Sequence, residues 1–291
     1  MNKYFQGDNF YRFSSVAKIN RFLHITGQRD NGYHELQTIF QFLDFGDYLE
    51  FQVNDSGIIN LLTPIAGVDY EQNLIIKAAK LLQQYSKTAF GVDIKLEKHL
   101  PMGGGLGGGS SNAATTLLAL NVLWQLNLPT SQLSKLGITL GADVPVFVEA
   151  QTAFAEGIGE QLTPIIIDEP WFLVTIPNCS ISTATIFGSP NLTRNTKKLT
   201  IDSINIEQCH NDCENLVIKL YPEVAKLMAW LLEYAPSRLT GTGACIFSSF
   251  SDKKSAEILQ SKLPAGVHSF VAKGLGQSPI LAELERVMTK N

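Results

Sequence analysis

Residues 101–111 read Pro-Met-Gly-Gly-Gly-Leu-Gly-Gly-Gly-Ser-Ser. Six glycines around one leucine leave main-chain N–H groups bare and let a bulky ligand come close to them. Ahead of this run, residues 92–97 alternate apolar and charged, as a half-buried strand does. Behind it, residues 112–124 set Ala113, Ala114, Leu117, Leu118 and Leu120 on one apolar face, which predicts a helix that Ser110 or Ser111 can cap. A glycine bend opening a helix suits an anion, because unpaired N–H groups and the positive dipole end point the same way. No Asp or Glu lies between Glu97 and Asp143, so a polyphosphate would meet no local repulsion.

The loop type narrows by elimination. Aligned as a Walker loop, Gly103 and Gly108 put Gly109 where lysine is required. Gly103, Gly105 and Gly108 match the dinucleotide spacing, but the acid needed about 20 residues later is missing. No His-Arg-Asp or Asp-Phe-Gly triplet of a protein kinase occurs. Phosphoryl transfer needs a phosphate loop, charge compensation and a carboxylate near the acceptor hydroxyl. Asp143, in Gly141-Ala142-Asp143-Val144-Pro145, is the candidate carboxylate: a lone acid in an apolar stretch is expected to be partly desolvated and basic toward a hydroxyl. It could equally be a helix cap or turn residue. Lys18, in Val16-Ala17-Lys18-Ile19, is either its partner or a solvated edge lysine. Gly32-Tyr33-His34 offers a stacking face beside a hydrogen-bonding ring, as a base site does; alone, the pair also reads as a turn-packing aromatic and a solvated histidine.

The chain has 291 residues, 45% apolar and 17% charged, with net charge −4. That is a globular composition with room for one large domain or two, and it argues against broad nucleic-acid binding. No apolar run approaches a membrane span, and residues 1–8 lack a signal-peptide core, so a cytoplasmic setting is expected. Four dispersed cysteines suggest free thiols; Cys209-His210-Asn211-Asp212-Cys213 lacks a second ligand pair for zinc.

The positioning elements are read as follows. Residues 15–25, 36–43 and 48–53 are strands, the last two joined by a turn at Asp44-Phe45-Gly46-Asp47. Residues 73–85 form a helix with Leu74, Ile75, Ala78, Leu81 and Leu82 inward, and residues 131–136 another, closed by Gly137. Residues 151–159 suggest a domain edge near residue 157. Beyond it come strand 171–176, polar loop 190–200, helical residues 216–234 interrupted at Pro222, strand 246–250, helix 255–263 and strand 269–273. The mixture is α+β.

The loop is similar to the Pro-x-x-x-Gly-Leu-Gly-Ser-Ser form of the GHMP family of small-molecule kinases. Pro101, Gly105, Leu106, Gly107, Ser110 and Ser111 carry the likeness, with two extra glycines before the serines. Ala17-Lys18-Ile19-Asn20, Gly32-Tyr33-His34, residues 140–147 (Leu-Gly-Ala-Asp-Val-Pro-Val-Phe) and residues 239–245 (Leu-Thr-Gly-Thr-Gly-Ala-Cys) extend it in order. The resemblance implies an N-terminal domain like ribosomal protein S5 domain 2 over 1–157 and a ferredoxin-like domain over 158–291, with the site between them. It implies ATP as phosphoryl donor, Mg²⁺ bridging its phosphates, and an alcohol acceptor. The loop form is most similar to that of a member acting on a cytidine diphosphate-linked methylerythritol. On that basis Asp143 and Lys18 would be catalytic and Asn20 would orient the acceptor. Tyr33 and Phe187 would sandwich the cytosine, His34 would bind its edge, and Thr183 would share that wall. Asn73, Leu74 and Lys98 would lie near adenine, and Pro101, Met102, Gly103, Gly104, Gly105, Leu106, Gly107, Gly108, Gly109, Ser110 and Ser111 would hold the phosphates. Residues 239–244 would brace the loop. No side chain is assigned as a metal ligand, and no nucleic-acid or membrane partner is expected. Two departures stand out: Ser15-Val16 replaces the proline usual before Ala-Lys, and Arg21 replaces an apolar residue, which suggests a partly exposed strand face there. Residues before Phe13 extend the usual start. A kinase for homoserine or mevalonate, a non-catalytic nucleotide-binding module and, more distantly, a dehydrogenase remain open.

Overall fold

Two unusually long strands carry the molecule. In the computed structural model, which describes residue 4 and residues 9–289, β1 (Tyr11–Gln28) and β2 (His34–Asn54) run antiparallel through almost their whole length. The N-terminal stretch read for a signal peptide lies, apart from Tyr4, outside the described residues. Residues 44–47 do not turn. Val16 pairs with Gly46 and Lys18 with Phe42, so Ala17 stands opposite three residues of β2. A bulge of this kind kinks and twists the strand without ending it. The local Asp-Phe-Gly-Asp composition is that of a turn, and tertiary pairing overrides it.

Strand β3 (Ile59–Leu61) joins β4 (Gly91–Glu97), which pairs with β2; α1 (Leu74–Ser86) lies between them in sequence. Helix α2 (Gly108–Leu123) begins four residues before the sequence pattern suggests. Its N-cap is Gly107, with φ 72° and no side-chain cap bond, so neither Ser110 nor Ser111 caps it. Most of α2 is buried on every side, because α1, α4 and α9 pack around it as well as the sheet. Helix α3 (Thr130–Gly137) contains Gly137 in helical conformation, its missing side chain leaving room for Val144. Helix α4 (Val144–Glu149) follows, and the hairpin β5 (Ala153–Glu156) with β6 (Gln161–Pro164) adds to β2.

The second half runs β7 (Trp171–Ile176), α5 (Thr183–Gly188), α6 (Glu214–Leu220), α7 (Pro222–Leu232), β8 (Ser237–Leu239), β9 (Ile246–Phe250), α8 (Lys253–Gln260), β10 (His268–Leu275) and α9 (Ile280–Thr289). Pro222 opens α7, where its missing N–H costs nothing. The four strands order as β10-β7-β9-β8, all antiparallel, which is the ferredoxin-like arrangement. β10 continues onto β2 through Gly274–Leu43 and Leu275–Phe42, so one sheet spans both units. Helix α9 returns to the first unit, burying Ile280 and Leu284 in its core. The sequence pattern leaves α4, α5, α9 and the β5–β6 hairpin unmarked. Helices α4 and α5 span only six residues each and are too short to announce themselves, whereas α9 carries an apolar stripe at Ile280, Leu284 and Val287 that could have marked it.

Between the two main cores lies a smaller apolar cluster of Ala17, Ile19, Leu43, Leu100, Leu106, Phe172, Val174, Cys245, Phe247, Phe270 and Ala272. It draws from both units and includes the one leucine of the glycine run. Burial of Leu106 there anchors an otherwise featureless loop, a contribution of about 1.5–3 kcal/mol for a fully buried leucine.

Candidate active site

The glycine loop hangs from a buried carboxylate. Asp47, on the bulged part of β2, accepts hydrogen bonds from the main-chain N–H groups of His99 and Leu100, both at 2.8 Å. Lys98 Nζ donates to it at 2.8 Å and Asn112 Nδ2 at 3.0 Å. One residue thus fixes the strand leaving β4 and the first turn of α2, the two ends of the loop. The Asp-Phe-Gly-Asp stretch gave no sign of this role, since its partners are about fifty residues away.

Glycine is required in the loop for packing as much as for ligand approach. Gly105 has φ 78°, and a Cβ there would run into the Thr240 carbonyl oxygen. Gly107 has φ 72°, and its Cβ would lie 2.7 Å from the Phe147 ring. The turn at 240–245 braces the loop from the second unit: Cys245 N–H donates to Gly104 O at 3.2 Å, and Thr240 Oγ1 to Gly105 O at 3.4 Å. Thr240 Oγ1 also accepts from the Asn20 N–H at 3.0 Å.

Two cavities meet at this loop. The smaller, of about 350 Å³, is lined by Asn73, Leu74, Lys98, all residues from Pro101 to Ser110, and also by Ile65, Val68 and Gln72. Asn73 caps α1, its Oδ1 accepting from Ile75 N–H at 2.9 Å. Ser111 does not reach this cavity. Its hydroxyl donates to Val16 O at 2.7 Å and accepts from Ser15 Oγ at 2.9 Å, tying α2 to β1. The larger cavity, of about 700 Å³, is lined by Lys18, Asn20, Tyr33, His34, Asp143, Thr183 and Phe187, with Phe40 and Asn31. Gly105, Gly107 and Ser110 line both. The open N-terminus of α2 therefore stands where the two spaces join.

Lys18 is buried, not solvated. Its Nζ donates to Asn20 Oδ1 at 2.7 Å and Gly105 O at 3.0 Å, lies 3.4 Å from Asp143 Oδ2, and sits 5.2 Å from the Phe40 ring centre. Its side chain is 4% exposed against 35% for Asp143, so the pair has one fixed and one solvent-facing member. Asp143 precedes α4 at its N-cap position but makes no side-chain cap bond, which frees its carboxylate for the cavity. Asn20 holds Lys18 with its oxygen and donates from Nδ2 to Thr38 Oγ1 at 2.9 Å. Arg21 is buried as well, contrary to the exposed face expected. Its guanidinium donates to Gln41 Oε1 at 2.6 Å and pairs with Asp168 at 3.3 Å, so the charge is met internally.

At the far end, Tyr33 is 58% exposed and has no ring partner among the described residues. The His34 ring lies 4.9 Å from that of Phe187 at 34°. Thr183 and Phe187, one turn apart on α5, present the same face, and Thr183 Oγ1 meets Thr242 Oγ1 at 3.0 Å. Burial, reinforced by the nearby Arg194 charge, lowers the pKa of His34 below its ordinary value. Arg194, which reaches His34 from the 190–200 loop, was not singled out in the sequence, because the ring it meets is 160 residues away.

Residues 73–151 match the GHMP kinases N terminal domain and residues 190–268 match GHMP kinases C terminal. The 4-diphosphocytidyl-2-C-methyl-D-erythritol kinase of Colwellia psychrerythraea is 56% identical over 280 residues, 94% of this chain and 93% of that protein. The enzyme of the same name from Pasteurella multocida is 51% identical over 282 residues, 97% and 96% of the two chains. A crystal structure of a 4-(cytidine 5'-diphospho)-2C-methyl-D-erythritol kinase superposes with TM-score 0.80 at 29% identity, covering 91% of this chain and 99% of that one. The Methanococcus jannaschii mevalonate kinase, at 16% identity and TM-score 0.67 over 93% and 100%, shares the fold. With both domains matched in order and the two-domain architecture shared, the chain belongs to the GHMP kinase family.

Proposed function

We propose that the chain transfers the γ-phosphoryl group of ATP to the 2-hydroxyl of 4-diphosphocytidyl-2-C-methyl-D-erythritol, releasing ADP. The observation that carries this reading is the junction at Gly105, Gly107 and Ser110, shared by a nucleotide-sized cavity and an acceptor cavity that holds Lys18 and Asp143. A triphosphate lying along the loop would put its end group at the junction, against bare N–H groups and the α2 dipole. Asp143 would accept the hydroxyl proton as the new O–P bond forms and the β–γ bridge breaks. Lys18, immobile and buried, would keep that carboxylate charged and offset charge on the transferred group. Asn20 would hold Lys18 in register. Adenine would sit by Asn73, Leu74 and Lys98, and the cytidyl end by Tyr33, His34, Thr183 and Phe187. The relatives' shared name supports the substrate.

Magnesium is part of the proposal. Mg²⁺ commonly keeps several of its waters and is held through one or two side chains together with substrate phosphates. Ser110, which lines the junction of the two cavities, would hold it there beside the phosphates. When bound it offsets charge on the β- and γ-phosphates. The proposed units are 1–157 and 158–291, though the β5–β6 hairpin runs through that boundary on the first sheet. No helix among the described residues is long and apolar enough to cross a membrane.

The reading is tested by ADP release with this substrate, homoserine and mevalonate, each with CDP as competitor. ADP release with the cytidyl alcohol alone, inhibited by CDP, is expected. Equal turnover of mevalonate or homoserine would overturn it.

A further inference from the structure

Among the described residues Arg194 makes four side-chain hydrogen bonds, and three of them have one purpose. Its guanidinium donates to the carbonyls of Phe187 at 2.9 Å, Ser189 at 2.7 Å and Leu192 at 3.1 Å. Those bonds hold it rigidly at the end of α5. The fourth runs from Arg194 Nε to His34 Nε2 at 2.9 Å. A guanidinium carries only donors and stays protonated in proteins, so Nε2 must present its lone pair. The neutral ring then carries its proton on Nδ1. That nitrogen has no hydrogen-bond partner among the described residues, and it is not sealed off as a buried unpaired atom. His34 lines the acceptor cavity.

A fixed Nδ1–H is a donor, and the two pyrimidines differ in what they offer it. Cytosine N3 is an acceptor, whereas uracil N3 carries a hydrogen and would oppose another donor. From these contacts we propose that Arg194 is a positioning residue: it locks His34 as an Nδ1–H donor and thereby selects a cytosine-bearing over a uracil-bearing diphosphate. The inference rests on the proposed cytidyl-alcohol reading for its ligand. The lock on the ring rests on the Arg194–His34 bond alone. Arg194 also holds the carbonyl of Phe187, so the same side chain sets the ring that His34 faces.

The test uses the whole protein. ¹⁵N correlation spectra of the His34 ring report its tautomer without ligand, and inhibition by CDP and by UDP reports selectivity. The intact chain is expected to show Nδ1–H and to bind CDP at least about tenfold tighter than UDP, one decade per about 1.4 kcal/mol of polar mismatch. Arg194→Ala is expected to shift the ring toward Nε2–H and to weaken CDP about tenfold more than it weakens UDP. The loss should fall on KM for the cytidyl alcohol more than on kcat, since Lys18 and Asp143 are untouched. Arg194→Lys, which keeps one cationic donor, should retain Nδ1–H and part of the selectivity, and it serves if the alanine variant does not fold. An Nε2–H ring in the intact protein, or an unchanged CDP-to-UDP ratio in Arg194→Ala, would overturn the proposal. If the intact protein shows Nδ1–H yet binds CDP no better than UDP, the selectivity claim fails with the cytidyl reading while the lock on His34 stands.

Discussion

Replacing Asp143 by asparagine separates chemistry from stability more cleanly than any other change in the site. The side chain caps no helix bond and is 35% exposed; its one charged partner among the described residues is Lys18 Nζ at 3.4 Å. Lys18 retains its two shorter bonds, to Asn20 at 2.7 Å and Gly105 O at 3.0 Å. The lost attraction should fall between that of an exposed pair, about 0–1 kcal/mol, and that of a buried pair broken on one side, about 3–5 kcal/mol. With one partner open to water, about 1–2 kcal/mol is expected, a fall of about 2–3 °C in Tm for a chain of this length. The catalytic cost is of another size. An asparagine amide cannot take the hydroxyl proton, and loss of a positioned base costs about 10²–10⁴-fold, or about 3–5 kcal/mol of barrier. Steady-state ADP release at saturating ATP and alcohol, with calorimetry on the same sample, measures both. We expect kcat to collapse, KM for the alcohol to move less than about threefold, and unfolding to stay cooperative. An Asp143→Asn enzyme that unfolds like the parent and keeps kcat within tenfold would refute Asp143 as the proton acceptor.

Three other outcomes follow from the same geometry. Asp47→Ala takes the side-chain acceptor from the Leu100 and His99 amides and one of two acceptors from Lys98 and Asn112, and should cost about 3 kcal/mol in urea unfolding, with Asp47→Asn costing less; a change below about 1 kcal/mol would refute its anchoring role. Gly105→Ala forces a Cβ into left-handed backbone against Thr240, about 1–2 kcal/mol from conformation alone, and should weaken binding of an ATP analogue at equilibrium, whereas unchanged affinity would show that the loop tolerates a shift. His24 and His34 both titrate below the ordinary histidine value, chiefly through burial. The unfolded chain therefore binds protons that the folded chain refuses, so stability is full above pH of about 6.5 and is lost as pH falls through the folded values. A Tm series from pH 8 to 5 should decline below about 6.5, and His24→Gln should flatten part of that slope.

Short-range patterns carried much of this protein. The glycine run, the strand before it and the helix after it were legible because phosphate binding by main-chain amides needs glycine, a helix start and freedom from acids, all within fifty residues. In the second half the pattern marked β7, β9, α8 and β10 but not α5, β8 or α9, so its ferredoxin-like order came from the family resemblance and not from local patterning. Lys18 and Asp143 were recognisable as types, but their meeting was not, because 125 residues separate them and only the pairing of β1 with the loop and α4 closes that distance. Composition misled at Asp44–Asp47, where turn-forming residues sit in a bulge held by β1 and the 98–100 segment. It misled again at Ser110 and Ser111, where burial of α2 on all sides lets the helix begin on bare glycine, and at Arg21, whose charge is met by Asp168. Asp47 and Arg194 were invisible altogether: a buried carboxylate or a clamped guanidinium is defined by partners that only folding brings within hydrogen-bond reach. The sequence by itself therefore determined which chemistry the chain can attempt, since residue type and local spacing set what can bind an anion or take a proton. Tertiary structure alone decided which groups face one another, because directional bonds of 3 Å are made across the fold and not along the chain.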